Sequence, residues 1–232
     1  MTPYYEQDGI TIYHGEALDV LSSLPDDVAD AVVTDPPYFL PAAHYSVRSG
    51  TARSLSDLSI LEHFFRDVFT GVRRVLKDDG FAYVFCDGQS YPAFYVTAYR
   101  HFRRLRPLIW DKQVSINGYS WRHQHEIVMF CESDNAPHVK TGDGDVLRFR
   151  AVPIADRNHL AQKPTDLLSK LIAKTTPERG TVLDPFMGSG TTLFAARTLG
   201  RVAIGIEQEE RYCEMAAKSL SQSVLPLEMV AD

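Results

Sequence analysis

Residues 181–206 alternate in a way that leaves few folds open. Residues 181–183 read as a short apolar strand, Gly188 and Gly190 turn the chain, residues 191–199 read as a helix, and residues 202–206 as a second apolar strand. The same alternation runs through the chain. Strands are expected at 10–13, 29–34, 81–86, 105–110 and 126–131, and helices at 18–24, 58–76, 93–102, 163–174 and 211–220. In the second helix Leu61, Phe64, Phe65, Val68, Val72, Val75 and Leu76 recur at helical spacing, and Asp78-Asp79-Gly80 closes it. Alternating β and α elements argue for an α/β fold with a mostly parallel sheet and helices on both faces. A length of 232 residues without internal repeats fits one domain, 1–232.

The turn after the strand at 181–183 reads Asp184-Pro185-Phe186-Met187-Gly188-Ser189-Gly190-Thr191-Thr192. Glycines let the backbone approach a ligand, and the following helix start offers unpaired N–H groups. A dinucleotide fingerprint would need a third glycine where Leu193 stands, and a phosphate loop of the Walker type would need Lys where Thr191 stands. A plain tight turn and a nucleoside cofactor with little need for phosphate binding remain. Glu207, at the tip of the next strand, is placed to accept hydrogen bonds from ribose hydroxyls outside the carboxyl end of the sheet.

A second signal, Thr34-Asp35-Pro36-Pro37-Tyr38, directly follows the strand at 29–34. It is either a rigid strand-ending turn or a site for an exocyclic amino group. Such a nitrogen is a poor nucleophile because its lone pair is delocalised into the ring. Asp35 can accept one of its N–H bonds and the Pro36 carbonyl the other, which turns the lone pair toward a methyl donor. Consecutive prolines hold these acceptors rigidly, and Tyr38 can stack on a base taken out of the duplex.

In the order of these motifs the chain resembles the amino-methyltransferases of DNA modification. Asp35 to Tyr38 looks like the catalytic motif and Asp184 to Gly190 like the cofactor motif; catalysis before cofactor resembles the family's β arrangement. His14-Gly15-Glu16-Ala17-Leu18 resembles the segment that contacts the cofactor adenine, with Glu16 where Asp is more usual. Residues 108–112 and 125–130 resemble strands framing the target-base pocket, and His159-Leu160-Ala161-Gln162-Lys163-Pro164 is similar to the signature before the cofactor strand, departing from it at Leu160 and Ala161. The resemblance implies a Rossmann-like class I methyltransferase sheet of seven strands, circularly permuted, with one antiparallel strand near an edge. It also implies S-adenosylmethionine as cofactor, bound by Glu16, Asp184, Phe186, Gly188, Gly190, Thr191, Thr192 and Glu207, with Asp35, Pro36, Pro37 and Tyr38 as the catalytic turn. For Lys163 two roles stay open, a partner of the methionine carboxylate and a solvated lysine at a helix start. In the family it resembles, Asp at the head of the turn is more usual for N6 of adenine and Ser for N4 of cytosine, so the resemblance implies N6 of adenine in double-stranded DNA; N4 of cytosine, an RNA adenine and a non-catalytic nucleic-acid-binding subunit are the alternatives.

The net charge of −6 counts mildly against nucleic-acid binding, but local basic clusters suffice: Arg48 with Arg53, residues 100–106, and Arg148, Arg150 and Arg157. Arg48 and Arg53 lie in a polar loop at 39–55 that either closes over a flipped base or stays on the surface. Trp121, Arg122 and His123 are further candidates for DNA contact, with a core Trp121 as the plainer reading. Residues 133–158 are polar and turn-rich, the best place for a short inserted recognition segment, which would read few bases or rely on a homodimer. His123 and His125 suggest no metal site without a third ligand, and three scattered cysteines suggest buried thiols. Without a signal-peptide pattern or a long apolar run, a cytoplasmic enzyme without membrane contact is expected.

Overall fold

The computed structural model describes residues 1–37, 58–114, 121–139, 142–153 and 162–222. Tyr38, Arg48, Arg53 and the segment 159–161 fall outside them. Among the described residues one nine-stranded sheet runs β1 (Tyr5–Gln7), β2 (Ile10–His14), β9 (Val202–Glu207), β8 (Thr181–Asp184), β3 (Ala29–Thr34), β4 (Leu76–Cys86), β6 (His125–Glu132), β5 (Arg104–Asp111) and β7 (Val146–Arg148). Helices α1 (Ala17–Ser23), α2 (Leu58–Val75) and α3 (Tyr91–Ala98) cover one face; α4 (Thr165–Thr175), α5 (Thr191–Thr198) and α6 (Glu210–Gln222) cover the other. The core is therefore double. Val20, Phe65, Phe69, Val72 and Phe94 pack on the first side, and Leu167, Leu171, Ile172, Leu193 and Ala216 on the second.

The class is the α/β sheet covered on both faces, but two strands exceed the seven expected. Both are three-residue strands at sheet edges, too short to show a period. β1 pairs antiparallel with β2 through Asp8 (φ 52°) and Gly9 (φ 77°), two left-handed residues of the kind that tight hairpins use. β7 comes from the polar segment 133–158 and adds parallel to β5. With β6 antiparallel to both β4 and β5, the reversed strands number two, β1 and β6, rather than one. A further correction concerns Asp78-Asp79-Gly80. The helix ends at Val75 and β4 starts at once, because a bulge lets Leu76 pair with Ala29 while Phe81 pairs with Ala31.

Chain direction locates the site. From β8 the chain crosses by α5 to β9, and from β3 it crosses by α2 to β4, on the opposite face and toward the opposite edge. The connections diverge between β8 and β3, neighbours paired at Ala31 with Val182 and Val32 with Leu183. A crevice outside the carboxyl ends of strands forms at such a switch point. The Asp35 turn and the glycine loop emerge on its two sides.

Candidate active site

Thr34 and Asp184, the last residues of β3 and β8, meet across the switch point. The Thr34 hydroxyl donates to Asp184 Oδ1 at 2.7 Å, and the Phe186 N–H donates to the same oxygen at 3.1 Å. Asp184 is 2% exposed. Burial raises its carboxyl to about 6, although Thr192, Thr34 and the Phe186 N–H favour the charged form. Its side chain faces the protein, so Asp184 ties the strand before the glycine loop to the residue before Asp35.

Asp35 follows in a half-buried position, between Thr34 and the buried Pro36; Pro37 is exposed. Its Oδ2 accepts from Nζ of Lys163, the residue just before α4 opens at Pro164. Lys163 is 7% exposed and also lies 3.4 Å from Glu126 Oε2 and 5.2 Å from the centre of the Phe85 ring. Glu126 in turn pairs with Lys112 at 2.6 Å. Four charges thus form a chain, Asp35–Lys163–Glu126–Lys112, drawn from the ends of β3, β6 and β5 and the start of α4. Burial opposes the charge on Lys163, but Asp35 and Glu126 outweigh it and raise its pKa. Burial likewise opposes the Glu126 carboxylate, and Lys163 and Lys112 outweigh it to lower its pKa. Neither reading of Lys163 from the sequence anticipated these partners. Glu126 and Lys112 were not singled out either, although a carboxylate inside the apolar run of β6 was a visible signal.

On the other side of the crevice the glycine loop folds back on the tip of β9. Glu207 Oε2 accepts from the Gly188 N–H at 3.0 Å and Oε1 from the Glu209 N–H at 2.8 Å. Burial raises the Glu207 pKa against these N–H donors. Gly190 sits at φ 84° as the N-cap of α5, and a side chain there would meet Cβ of Ala216 at 2.8 Å. Gly188, at φ 51°, has open space where a side chain would stand. Thr191 is half-buried, Thr192 is buried, and Phe186 packs 6.2 Å from Phe64. The tips of β2 and β9 lie together, with His14 opposite Glu207 and the Gly15 N–H bonded to the Glu207 carbonyl at 3.0 Å. Glu16, exposed at the start of α1, therefore stands beside Glu207, and its carboxylate makes no cap bond to the helix.

The family model described as DNA methylase, of the N6/N4 methyltransferases, matches residues 29–218. That span begins with β3, contains both turns and ends within α6. The chain belongs to this family. Its sequence is 28% identical over a 247-residue alignment to the type II methyltransferase M2.MboI of Moraxella bovis, covering 93% of this chain and 90% of that one. It is 27% identical to the type II methyltransferase M2.DpnII of Streptococcus pneumoniae, with coverages of 94% and 92%. Among solved structures, the cytosine-N4-specific PvuII DNA methyltransferase has a TM-score of 0.78 at 17% identity, covering 98% of this chain and 90% of that one. The M1.HpyAVI–SAM complex gives 0.68 at 24% identity, with coverages of 90% and 99%. These two likenesses establish the methyltransferase fold.

The methylase carries its remaining candidates farther out. Trp121 is 94% exposed, so it is no core residue, and Arg122, His123 and His125 are exposed beside it. The His123 and His125 rings lie 5.8 Å apart, and no cluster of three metal-ligating side chains occurs among the described residues. Part of the segment 133–158 is structural. β7 lies in it, and Asp143 pairs with Lys170 at 2.8 Å and Lys174 at 3.0 Å on α4. Cys86, Cys131 and Cys213 are buried and unpaired. No helix among the described residues is long and apolar enough to cross a membrane.

Proposed function

We propose that this DNA methylase transfers a methyl group from S-adenosylmethionine to N6 of adenine at a specific site in double-stranded DNA. The observation that carries the reading is the Asp35 turn opening at the switch point beside the glycine loop, with Asp184 bonded to Thr34 between them. The acceptor for an amino group and the cradle for a nucleoside thus share one crevice. The resemblance of an Asp-headed turn to the adenine enzymes supplies the choice of base.

The residues fit the cofactor. At Gly188 a Cβ would project into open space, and the loop's backbone folds onto the strand tip that carries Glu207. The Glu207 oxygens, which accept from the Gly188 and Glu209 N–H groups, can also accept from ribose hydroxyls. Glu16 is assigned to the adenine amino group, and Phe186, Gly190, Thr191 and Thr192 shape the loop. Bound S-adenosylmethionine would supply an electrophilic methyl group on sulfur. Asp35 and the Pro36 carbonyl orient the two N–H bonds of the target nitrogen, with Tyr38 assigned to stack on the flipped base. Positioning of this kind supplies much of the rate enhancement of a direct transfer. Arg48, Arg53, Trp121, Arg122 and His123 are assigned to the DNA, and a homodimer to the assembly, since a recognition segment as short as 133–158 reads few bases. That relatives are named type II methyltransferases supports site-specific modification as the activity.

Asp35→Ala tests the reading. Transfer of labelled methyl groups to duplex DNA should vanish while S-adenosylmethionine binding by calorimetry stays near wild type. Near-normal transfer by this variant would refute the assignment.

A further inference from the structure

The Lys163 ammonium donates to Oδ2 of Asp35, the carboxylate that the proposed reaction uses as an acceptor. An entering amino group brings its N–H donors to a carboxylate that already holds a cation. The ammonium also has a second anion at hand. Glu126 Oε2 is buried, lies 3.4 Å away and makes no well-aligned hydrogen bond, while Oε1 is held by Lys112. A lysine carries a point charge on a flexible stem, so it can lean from one carboxylate to the other without leaving the pocket. The group Asp35, Lys163, Glu126 and Lys112 holds two carboxylates and two ammonium groups, and such a move changes no net charge.

We propose that Lys163 is an exchangeable positioning residue: it holds Asp35 in place before substrate binds and shifts to Glu126 when the target amino group arrives. This rests on the reading that Asp35 receives that amino group. The exchange also discriminates. An exocyclic amino group brings N–H donors that replace those of the ammonium. A base with a carbonyl at that position, as in thymine, brings an acceptor against the Asp35 carboxylate and leaves Lys163 where it is. Glu126, which touches neither Asp35 nor the base in this scheme, acts only through Lys163.

The test is a double-variant cycle on Glu126→Gln and Lys163→Met, read as single-turnover methyl transfer to duplex DNA with S-adenosylmethionine affinity measured alongside. Glu126→Gln keeps the shape of the pocket and the Lys163–Asp35 pair but removes the charge that receives the ammonium. Transfer should slow by about ten-fold or more with cofactor affinity within about two-fold of wild type, a barrier change confined to the step that engages the base. Lys163→Met should slow transfer as well, and adding Glu126→Gln to it should cause no further loss, because coupled residues are not additive. Losses that multiply in the double variant overturn the exchange, as does a Glu126→Gln rate equal to wild type. If Lys163→Met does not fold, Glu126→Gln decides alone. Asp35→Ala keeps the two ideas apart. An active Asp35→Ala sinks the functional reading itself, whereas an inactive Asp35→Ala beside a fully active Glu126→Gln sinks the exchange alone.

Discussion

Alanine at Gly190 should destabilise the protein more than alanine at Gly188, two residues earlier in the same turn. At Gly190 two penalties combine. The residue stands at φ 84°, and its new methyl group would lie 2.8 Å from Cβ and 3.5 Å from Cα of Ala216, inside α6. A left-handed L-residue costs about 1–2 kcal/mol, and overpacking of a tight contact about 1–3 kcal/mol, giving a loss of roughly 2–5 kcal/mol. At Gly188 only the first applies, since φ is 51° and nothing lies within 4 Å of the added carbon. With about 2–4 °C lost per kcal/mol in a domain of this size, the drop in Tm should be roughly 4–20 °C for Gly190→Ala and about 2–8 °C for Gly188→Ala. Calorimetric melting without cofactor measures both. The order reverses in binding. The open space at Gly188 is the volume assigned to the cofactor, so Gly188→Ala should weaken S-adenosylmethionine by about ten-fold, close to 1.4 kcal/mol. Equal drops in Tm for the two variants would refute the packing of Gly190 on Ala216. Undiminished affinity in Gly188→Ala would remove the cofactor from that side of the loop.

Thr34→Val removes one of the two hydroxyl donors of Asp184 and should destabilise by about 1–3 kcal/mol in chemical denaturation, with slower methyl transfer because the bond holds the residue before Asp35. The raised Asp184 carboxyl, at about 6, binds its proton more tightly in the folded chain. Its stabilising contribution is therefore complete below the ordinary carboxylate range and is lost as pH rises through about 6, by up to roughly 3 kcal/mol. Asp184→Asn should remove this dependence, so the Tm of wild type relative to Asp184→Asn should be higher at low pH than at neutral pH; a constant difference would show that Asp184 titrates normally. Glu207→Ala should lower S-adenosylmethionine affinity by at least about ten-fold, since it removes the acceptor assigned to the ribose and the charged partner of the Gly188 N–H together; titration calorimetry reads this. Trp121→Ala, at an exposed position, should alter stability little, within about 0.5 kcal/mol in chemical denaturation, but weaken binding to duplex DNA in a titration.

The long apolar strands and the glycine loop were legible because each obeys a local rule. Residues 29–34 and 202–206 are apolar runs bounded by breakers, and α2 repeats its apolar residues at the helical period. β1 and β7 escaped because three residues carry no period, although Asp8-Gly9 was a readable hairpin signal. The early start of β4 escaped because Lys77 to Gly80 look like a turn, and only the bulge against Ala29–Ala31 absorbs them. In the site, the Asp35 turn and the loop at 184–192 were visible as short contiguous motifs. The charge chain was not, since Asp35, Lys163, Glu126 and Lys112 come from four elements and meet only through the sheet order. The position of Trp121 also lay beyond reach, because an isolated aromatic in a polar stretch can lie on either side of the surface.

Nucleoside mass spectrometry tests the central claim most directly. Mixed-sequence duplex DNA is incubated with the protein and S-adenosylmethionine, digested completely and compared with DNA treated with Asp35→Ala. The account predicts N6-methyladenine in the first sample and none in the second. N4-methylcytosine in its place would contradict the choice of base while leaving the site intact, and unmethylated DNA from protein shown to bind the cofactor would contradict the assignment of duplex DNA as substrate.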